Sequence, residues 1–440
     1  MLKELCFVDE GNQRDRFVGI RCNDGKEPSF HFPLGYNLSS DDEGIRKDIL
    51  LLIATLEKHT DKQDSSVTDL THNIDKEGFP IQSYIYIVKD FLMNGYYVEH
   101  DVEYKISKTG KIHWGRTIKT QKPYVSGNNI VYLDFVTKKN TINENELITQ
   151  IHKYCVEESF SKVGWLFTLQ CIPSKANITF NKNLFLRTIK SKLATTFNDS
   201  NKTLFRHMLN VINYLFDSNS KTSYKYGTYR FEYIWESMID KMFGIPNKGK
   251  YFPNGTWHFH NGTSLTSSTL RPDTIMLHDG DVYVLDAKYY KFGITKRSED
   301  LPETTSINKQ ITYGEHIDTD LQLRKEHGKG MVVYNAFIMP YDASDWGGYK
   351  LEHACYATST WKCATGSKPY THVQGILYDV RSMMLLTSND RAKEISEMAD
   401  VIKANAIKQT RSTLKVVSYA NAYDMVEEFK VAEVMEGYKE

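Results

Sequence analysis

The sequence lacks the features that define several large classes of protein. Its 440 residues contain six scattered cysteines and no CxxC pair, which disfavours both a disulfide scaffold and a structural zinc site. The longest aliphatic stretch, residues 49–54, is far shorter than the ~20 apolar residues of a membrane span, and the charged first residues lack a signal-peptide core. We therefore expect a soluble, cytoplasmic protein that makes no membrane contact.

The charge balance and the length limit the function and the domain organisation. Lys plus Arg and Asp plus Glu number 55 each, so the formal net charge is zero. A uniformly basic nucleic-acid binder is disfavoured, and any DNA contact must come from a local patch. At this length two domains are expected. We place their boundary within 180–225, where the polar segment 217–225 is a linker or a long loop, and take 1–200 and 201–440 as the two domains.

The strongest functional signal lies in residues 271–290, which read RPDTIMLHDGDVYVLDAKYY. Asp279-Gly280 is a two-residue turn signal, because both central residues of a type I′ turn need positive φ. Counting outward from this turn places Asp273 opposite Asp286 on neighbouring antiparallel strands. Side chains alternate between the faces of a strand, so Lys288 shares the face of Asp286. The segment therefore predicts that two carboxylates and one ammonium group converge.

Two acids directly opposite each other on a sheet are destabilising, since cross-strand pairs change stability by ~0.2–1 kcal/mol. Their presence here therefore indicates a chemical use. One such use is binding of a divalent cation, since Mg²⁺ is held by one or two carboxylates plus waters and phosphate oxygens. Such an ion can generate hydroxide and stabilise charge on phosphorus, while a lysine orients or deprotonates the attacking water. The alternative is a hairpin with surface acids and an unrelated lysine. Apolar residues on both faces of the hairpin predict a sheet that is covered on both sides.

Two flanking helices carry further candidates. In a helix predicted over 228–243, three acids lie four residues apart, and Glu232 borders the apolar face most closely. Glu232 is thus the acid most able to reach a buried site, and a solvated acidic face is the alternative. In a helix predicted over 307–318, Gln310 and Tyr313 lie near the sheet edge. An amide there could hold a water, a carboxylate or a DNA phosphate, although a QxxY pattern alone is weak evidence.

Three other segments have competing interpretations. Residues 244–250, GIPNKGK, nearly match a phosphate-binding loop, but Tyr251 stands where Ser or Thr must reach Mg²⁺ and the segment follows a helix, so we reject a nucleotide site. Residues 105–122 are predicted to form a basic, aromatic-bearing hairpin that contacts DNA or an acidic partner, or else is merely solvated. Its candidate contact residues are Lys111, Arg116 and Lys119. His258-Phe259-His260 alternates like a strand, completes no metal shell and is interpreted as structural.

Several of these segments together resemble a known family. RPD at 271–273 and VLDAK at 284–288 resemble the PD-(D/E)xK nuclease motif. More specific is their combination with YGTYRFEYIWE at 226–236, KQITYGEHI at 309–317 and GKIHW at 110–114 followed by Arg116-Thr117. This combination is similar to the LlaJI-type restriction endonucleases, relatives of the McrC nuclease subunit.

The resemblance covers roughly residues 85–340 and carries expectations about fold and partners. It implies a mixed α/β fold, with a C-terminal PD-(D/E)xK nuclease core whose mixed sheet is flanked by helices and an N-terminal α+β domain. The implied partner is an AAA+ GTPase that recognises DNA, on which the N-terminal half would dock.

The resemblance also implies roles for individual residues. The implied metal ligands are Asp273 and Asp286, with Glu232 as a possible third acid, and the metal is Mg²⁺. Lys288 is implied to be the catalytic lysine. The QxxY element that follows the catalytic hairpin in related nucleases would correspond to Gln310 and Tyr313, with Gln310 in the catalytic group and Tyr313 contacting DNA or a partner.

Three functions remain open at this point. The leading hypothesis is a Mg²⁺-dependent DNA endonuclease, the cleavage subunit of a restriction system that works with an AAA+ GTPase. A standalone repair or recombination nuclease, acting on flaps or ends without a partner, is the first alternative. The second is a regulatory subunit that mainly activates a partner NTPase and whose nuclease core is a relic. Intact Asp273, Asp286 and Lys288 argue against a relic.

Overall fold

A computed structural model describes most of the chain. The described residues are 2–11, 16–22, 27–60, 79–143, 146–167, 172–217, 224–267, 269–328, 330–360 and 368–412. The chain divides into two compact units, one formed by residues 1–75 together with 225–440 and the other by residues 76–224. The predicted functional division into 1–200 and 201–440 stays a prediction, and the structural units have different bounds. Within the predicted linker, residues 218–223 lie outside the described part.

The first unit begins with short strands and one long helix. These elements are β1 (Cys6–Val8), β2 (Val18–Cys22), β3 (Ser29–Phe32) and α1 (Asp42–Thr60). Strand β3 pairs with β1 in parallel and with β2 in antiparallel orientation. Asp48 of α1 is buried, accepts a 2.9 Å hydrogen bond from the Tyr36 hydroxyl and lies 2.8 Å from the Arg381 guanidinium. This ion pair joins the N-terminal residues to the C-terminal half of the same unit.

The second unit combines antiparallel strands with a group of helices. Its elements are α2 (Ile81–Asn94), β4 (Glu99–Ile106), β5 (Lys111–Ile112), α3 (Trp114–Thr120), β6 (Pro123–Ser126), β7 (Asn129–Tyr132), β8 (Val136–Asn143), α4 (Leu147–Val163), α5 (Lys182–Thr195) and α6 (Asp199–Asp217). Strands β4, β8 and β5 form one sheet in that order, and β6 and β7 form a separate hairpin. Helix α2 packs against α4 and α6.

The predicted hairpin over 105–122 was wrong in part, because its second half is helix α3. The helix forms because His113 caps it, with Nδ1 accepting a 3.1 Å hydrogen bond from the main-chain N–H of Arg116. Thr117 secures the helix to the sheet, since its hydroxyl accepts a 3.0 Å hydrogen bond from the N–H of Val136. The glycine and the β-branched residues of this segment are weak helix formers, so tertiary contacts decide the outcome.

The remainder of the first unit contains the principal sheet. Its elements are β9 (Tyr224–Thr228), α7 (Phe231–Phe243), β10 (Thr256–His258), β11 (Ser264–Thr266), β12 (Thr274–His278), β13 (Asp281–Ala287), α8 (Phe292–Thr295), α9 (Thr304–Thr319), α10 (Leu321–His327), β14 (Val333–Tyr341), β15 (Leu351–Ala357), β16 (Val373–Asp379), α11 (Val380–Leu385) and α12 (residues 391–412). The predicted order of helix, hairpin, helix and strand is confirmed by α7, β12–β13, α9 and β14.

The principal sheet is mixed and buried on both faces. Its strand order is β12-β13-β14-β16-β15, with β13, β14 and β16 parallel and the two edge strands antiparallel to their neighbours. All nine residues of β14 and the first six of β13 are buried. Helix α9 contacts β13 and β14, and α7 contacts β12 and β13. The fold is therefore mixed α/β, with sheets flanked by helices.

None of the helices in the described part of the chain is both long enough and apolar enough to cross a bilayer.

Candidate active site

The predicted hairpin is present with the predicted register. Asp279 and Gly280 have φ values of 49° and 80°, as a two-residue turn with positive φ at both positions requires. The strands pair His278 with Asp281 at the turn and Thr274 with Leu285 at the far end. One further step along the same register places Asp273 opposite Asp286.

The two carboxyl groups and the lysine lie together at the end of this hairpin. Asp286 is buried, and its Oδ2 lies 2.5 Å from Lys288 Nζ. Asp273 forms a hydrogen bond with the carboxyl group of Asp286, and its Oδ2 accepts a 2.9 Å hydrogen bond from the main-chain N–H of Ala287. The structure thus brings together the three residues that the sequence predicted to converge.

The electrostatics of the site favour retention of a proton by Asp273. Burial raises the pKa of this carboxyl group to about 8, and the negative charges of Asp286 and Glu236 act in the same direction. The hydrogen bond from Ala287 opposes the shift, because it stabilises the ionised form. Near neutral pH the site holds more carboxyl groups than its local positive charge can stabilise in ionised form.

Lys288 is held in its charged form. Burial alone would lower the pKa of this ammonium group, but the charge of Asp286 and the hydrogen bond to it outweigh burial, so the pKa is raised. Lys288 is therefore an ammonium group at neutral pH. It can orient a water or stabilise developing negative charge, and it is poorly suited to remove a proton.

The acid on helix α7 that faces this group is Glu236, which sequence reasoning missed. Burial raises the pKa of Glu236, followed by the charge of Asp286. The predicted ligand Glu232 lies one turn earlier, where its side chain is 44% exposed and its Oε1 is 3.7 Å from Arg230 Nε. The structure does not bring Glu232 into the group. The spacing of four residues between the two acids was the available signal, but the sequence did not show which turn of the helix reaches the site.

Gln310 and Tyr313 of α9 both lie inside the protein. Gln310 Nε2 donates a 2.7 Å hydrogen bond to the main-chain oxygen of Val284, so this amide holds strand β13 rather than pointing at a ligand. Tyr313 is fully buried, and its hydroxyl has no hydrogen-bond partner among the described residues. Burial raises the pKa of Tyr313, with further contributions from Asp286 and Asp273. Its hydroxyl therefore lies within electrostatic range of the two carboxyl groups. The predicted DNA or partner contact would instead require Tyr313 to be exposed.

A second lysine, Lys248, stabilises the start of the hairpin. Lys248 lies in the segment whose resemblance to a phosphate-binding loop was rejected. Its Nζ is 2.7 Å from Asp240 Oδ1 and also donates a hydrogen bond to the main-chain oxygen of Asp273. Asp240 in turn accepts a 3.1 Å hydrogen bond from the Thr274 hydroxyl. These contacts fix the start of β12, and no sequence signal pointed to Lys248.

The three basic contact candidates lie in the second unit. Lys111, Arg116 and Lys119 are all exposed. The guanidinium carbon of Arg116 lies 3.7 Å from the centroid of the Tyr104 ring, which holds this side chain against the sheet. The same stretch of sequence also carries exposed apolar side chains, and these are Trp114, Ile118, Tyr124, Val125, Ile130 and Val131.

The residues at the end of the hairpin fit a hard divalent cation. In the part of the chain that the structure describes, no three His, Cys, Asp or Glu side chains are clustered closely enough to hold a metal as they stand. Mg²⁺ does not require three, because it binds through one or two carboxylates plus waters and substrate oxygens. The raised pKa of Asp273 shows an excess of acidic groups, which a divalent cation would relieve. Asp273 and Asp286 would be the donors for such an ion.

Comparison with known proteins gives two matches. The LlaJI restriction endonuclease family matches residues 17–351 of this chain. YdjA, a component of the type II restriction enzyme BsuMI of Bacillus subtilis (strain 168), is 26% identical over 371 residues, which cover 77% of this chain and 76% of that protein. The span matched by the family includes Glu236, Asp273, Asp286 and Lys288.

Proposed function

Since this chain belongs to the LlaJI restriction endonuclease family, we propose that Asp273, Asp286 and Lys288 form its Mg²⁺-dependent cleavage centre. Membership makes the chain a restriction endonuclease component that hydrolyses DNA phosphodiester bonds. The observation that carries the proposal is the group of two hydrogen-bonded carboxyl groups with a lysine 2.5 Å from Asp286. This is the arrangement of a PD-(D/E)xK nuclease core, and we assign the first unit to that type of fold.

The residues would divide the chemistry between them. Asp273 and Asp286 would hold the cation, and Glu236 would add a third negative charge that faces it. A bound Mg²⁺ supplies Lewis acidity and lowers the pKa of water, which favours hydroxide as the nucleophile. The ammonium group of Lys288 orients the attacking water and stabilises the charge that develops on the phosphate oxygens. Cleavage then leaves a 5′-phosphate and a free 3′-hydroxyl group.

Loss of the Asp273 proton is the step that prepares the site. The pKa of about 8 means that much of Asp273 is protonated at neutral pH before a cation arrives. A cation is attracted most strongly by the ionised carboxylate, so cation binding and proton release are coupled. Asp286 and Lys288 remain paired and keep the second ligand in position.

We further propose that the chain works with an AAA+ GTPase that recognises DNA. The related BsuMI protein is named as a component of its enzyme, which agrees with a system of more than one chain. The surface around Lys111, Arg116 and Lys119, with its exposed apolar side chains, is the proposed docking surface for that partner. Apolar residues mixed with arginine are typical of protein interfaces.

The test is cleavage of plasmid DNA by the full chain, with and without Mg²⁺ and with and without the NTPase encoded beside it plus GTP. Asp286→Ala should abolish cleavage and leave partner-stimulated GTP hydrolysis intact. Asp345→Ala, at an exposed acid of the same unit, is the matched control and should cut normally.

The outcomes separate the competing functions. Cleavage that requires both partner and nucleotide supports the restriction subunit. Cutting of linear DNA by the chain alone would instead identify a standalone nuclease. Stimulation of the NTPase without cleavage under any condition would identify a regulatory subunit, and full activity of Asp286→Ala would refute the proposed centre.

A further inference from the structure

A short hairpin projects from the protein directly before the proposed cleavage centre. Strands β10 and β11 pair Trp257 with Leu265 and His258 with Ser264. All residues from 254 to 266 are exposed, including both strands and the turn between them. The hairpin is nevertheless ordered by its own hydrogen bonds, since Phe259 N–H donates to Thr263 O at 2.9 Å and Gly262 supports the turn with φ 81°.

The hairpin has one apolar face and one polar face. Because side chains alternate along a strand, Trp257, Phe259 and Leu265 share one face. They are 66%, 49% and 60% exposed, respectively. The opposite face carries only hydrogen-bonding side chains, such as His258, whose Nδ1 lies 2.8 Å from Ser264 Oγ. No element in the described ranges covers these two aromatic residues, and such exposed apolar surface indicates an external partner.

The base of this hairpin is fixed beside the carboxyl groups. Before β10, Tyr251 is buried in the core of the principal sheet. After β11, the N–H of Leu270 donates a 3.2 Å hydrogen bond to Pro253 O, which closes the base. Only three residue steps separate Leu270 from Asp273, a span of about 11 Å at most. The ribbon itself extends about 25 Å from base to turn. The distance from the site to any part of the ribbon is therefore no more than about one helical turn of duplex DNA.

The charge of the surrounding segment favours a nucleic acid. Between Asp240 and Asp273 the sequence contains no acidic residue. It contains two histidines in the hairpin and the exposed Arg271 at its base. The three lysines of the segment are already engaged, Lys241 with the main-chain oxygen of Lys58, Lys248 with Asp240 and Lys250 with Glu326. The hairpin therefore offers aromatic surface without the negative charge that would repel phosphates.

We propose that the aromatic face of the β10–β11 hairpin binds duplex DNA next to the scissile phosphate. A two-stranded ribbon fits the major groove, and apolar side chains can also enter a groove and part neighbouring base pairs. Contact through Trp257 and Phe259 places the hairpin as a clamp that holds the duplex against Asp273 and Asp286. The inference rests on the cleavage centre proposed above, because that centre fixes where the DNA backbone must lie.

The first experiment measures DNA affinity separately from cleavage. The full chain carrying Asp286→Ala is titrated onto a fluorescein-labelled duplex of about 40 base pairs, roughly four helical turns, and anisotropy is recorded. Trp257→Ala with Phe259→Ala should weaken binding by at least about tenfold. Thr256→Ala with Thr266→Ala, on the polar face of the same ribbon, is the matched control and should change binding by less than about twofold.

The second experiment leaves the hairpin sequence intact. Duplexes with 5-iodouracil at successive positions are irradiated with the Asp286→Ala chain, and cross-linked peptides are identified by mass spectrometry. Cross-links to the peptide that contains Trp257 and Phe259, at positions within about one helical turn of the cut, would support the clamp.

Each contrary outcome is decisive. Unchanged DNA affinity of the aromatic double variant would overturn the proposal. Two other results with unchanged DNA affinity would also overturn the proposal, namely weaker binding of the NTPase partner or a changed mass of the variant in solution. Either result would show that the aromatic face contacts protein. Cleavage by Asp286→Ala would refute the proposed cleavage centre. The comparison of DNA affinities is a separate test, because it does not depend on that centre.

Discussion

Asp273 Oδ2 accepts a 2.9 Å hydrogen bond from the main-chain N–H of Ala287, the residue that separates Asp286 from Lys288. This bond links the two strands at the point where the carboxyl groups meet. It also means that Asp273 keeps an acceptor role in the folded protein whether or not its other oxygen is protonated. Experiments can therefore test the protonation state of Asp273.

We expect Asp273→Asn to stabilise the metal-free protein. The pKa of Asp273 is about 8 in the folded state and about 3.8 when unperturbed, so the folded state binds more protons between these values and wild-type stability falls as pH rises through this window. Asparagine cannot lose a proton. The variant should be more stable by about 1–3 kcal/mol at pH 9 and nearly equal to wild type at pH 4. Thermal melting in EDTA at a series of pH values measures this difference.

Addition of Mg²⁺ provides the control for the same variant. The cation should raise the melting temperature of the wild type, because it binds the folded state only, and should have little effect on Asp273→Asn. Asp345→Asn should behave like the wild type in both conditions. Equal Mg²⁺ stabilisation of Asp273→Asn and wild type would remove Asp273 from the metal site.

Glu236→Gln and Glu232→Gln should have different effects on cleavage. The charges of Asp286 and Lys288 act on Glu236, whereas Glu232 is half-exposed beside Arg230. Glu236→Gln should lower the cleavage rate by about tenfold or more and raise the Mg²⁺ concentration needed for half-maximal activity. Glu232→Gln should stay within about twofold. A Mg²⁺ titration of plasmid cleavage checks both, and the reverse ranking would restore Glu232 as the third acid.

Tyr313→Phe and Gln310→Met should separate activity from stability. The Tyr313 hydroxyl has no hydrogen-bond partner among the described residues and lies beside the aspartates, so its removal should reduce cleavage without loss of stability. Gln310 donates to Val284 O in the buried strand, so Gln310→Met should cost about 1–3 kcal/mol of stability. Urea unfolding and plasmid cleavage of both variants are the measurements. A destabilised Tyr313→Phe with normal activity would contradict this assignment.

The second unit should lose stability in mild acid through His152. Burial lowers the pKa of His152 to about 4, and its Nδ1 accepts a 2.8 Å hydrogen bond from the N–H of Tyr97. The unfolded state binds the proton near pH 6.5, so stability is lost as pH falls from 6.5 towards 4, by up to about 3 kcal/mol. Hydrogen exchange of helix α4 at several pH values should show this.

The matched variants for this effect are His152→Gln and His258→Gln. Glutamine retains an acceptor for Tyr97 but does not titrate, so His152→Gln should flatten the pH dependence of α4 protection. His258 is exposed on the β10–β11 hairpin, and its replacement should change nothing in α4. A pH profile that is identical in His152→Gln and wild type would assign the acid sensitivity to other groups.

The sequence determined the hairpin of the proposed cleavage centre because its geometry depends on neighbours along the chain. Positive φ at Asp279 and Gly280 sets the turn, and the turn sets the register that brings Asp273 opposite Asp286. Alternation along the strand then fixes the face of Lys288. These are short-range constraints, so they could be read without knowledge of the remainder of the fold.

Only the tertiary structure decided which distant groups complete the site. The spacing of Glu232 and Glu236 is the same in any helix, and the packing of α7 against the sheet selects Glu236. Lys248 reaches the Asp273 carbonyl through a segment with no periodic signal. Residues 1–75 join the C-terminal half through contacts such as Asp48 with Arg381, which are separated by most of the chain. Contacts between residues far apart in sequence depend on how the elements pack in three dimensions, so a local sequence pattern does not predict them.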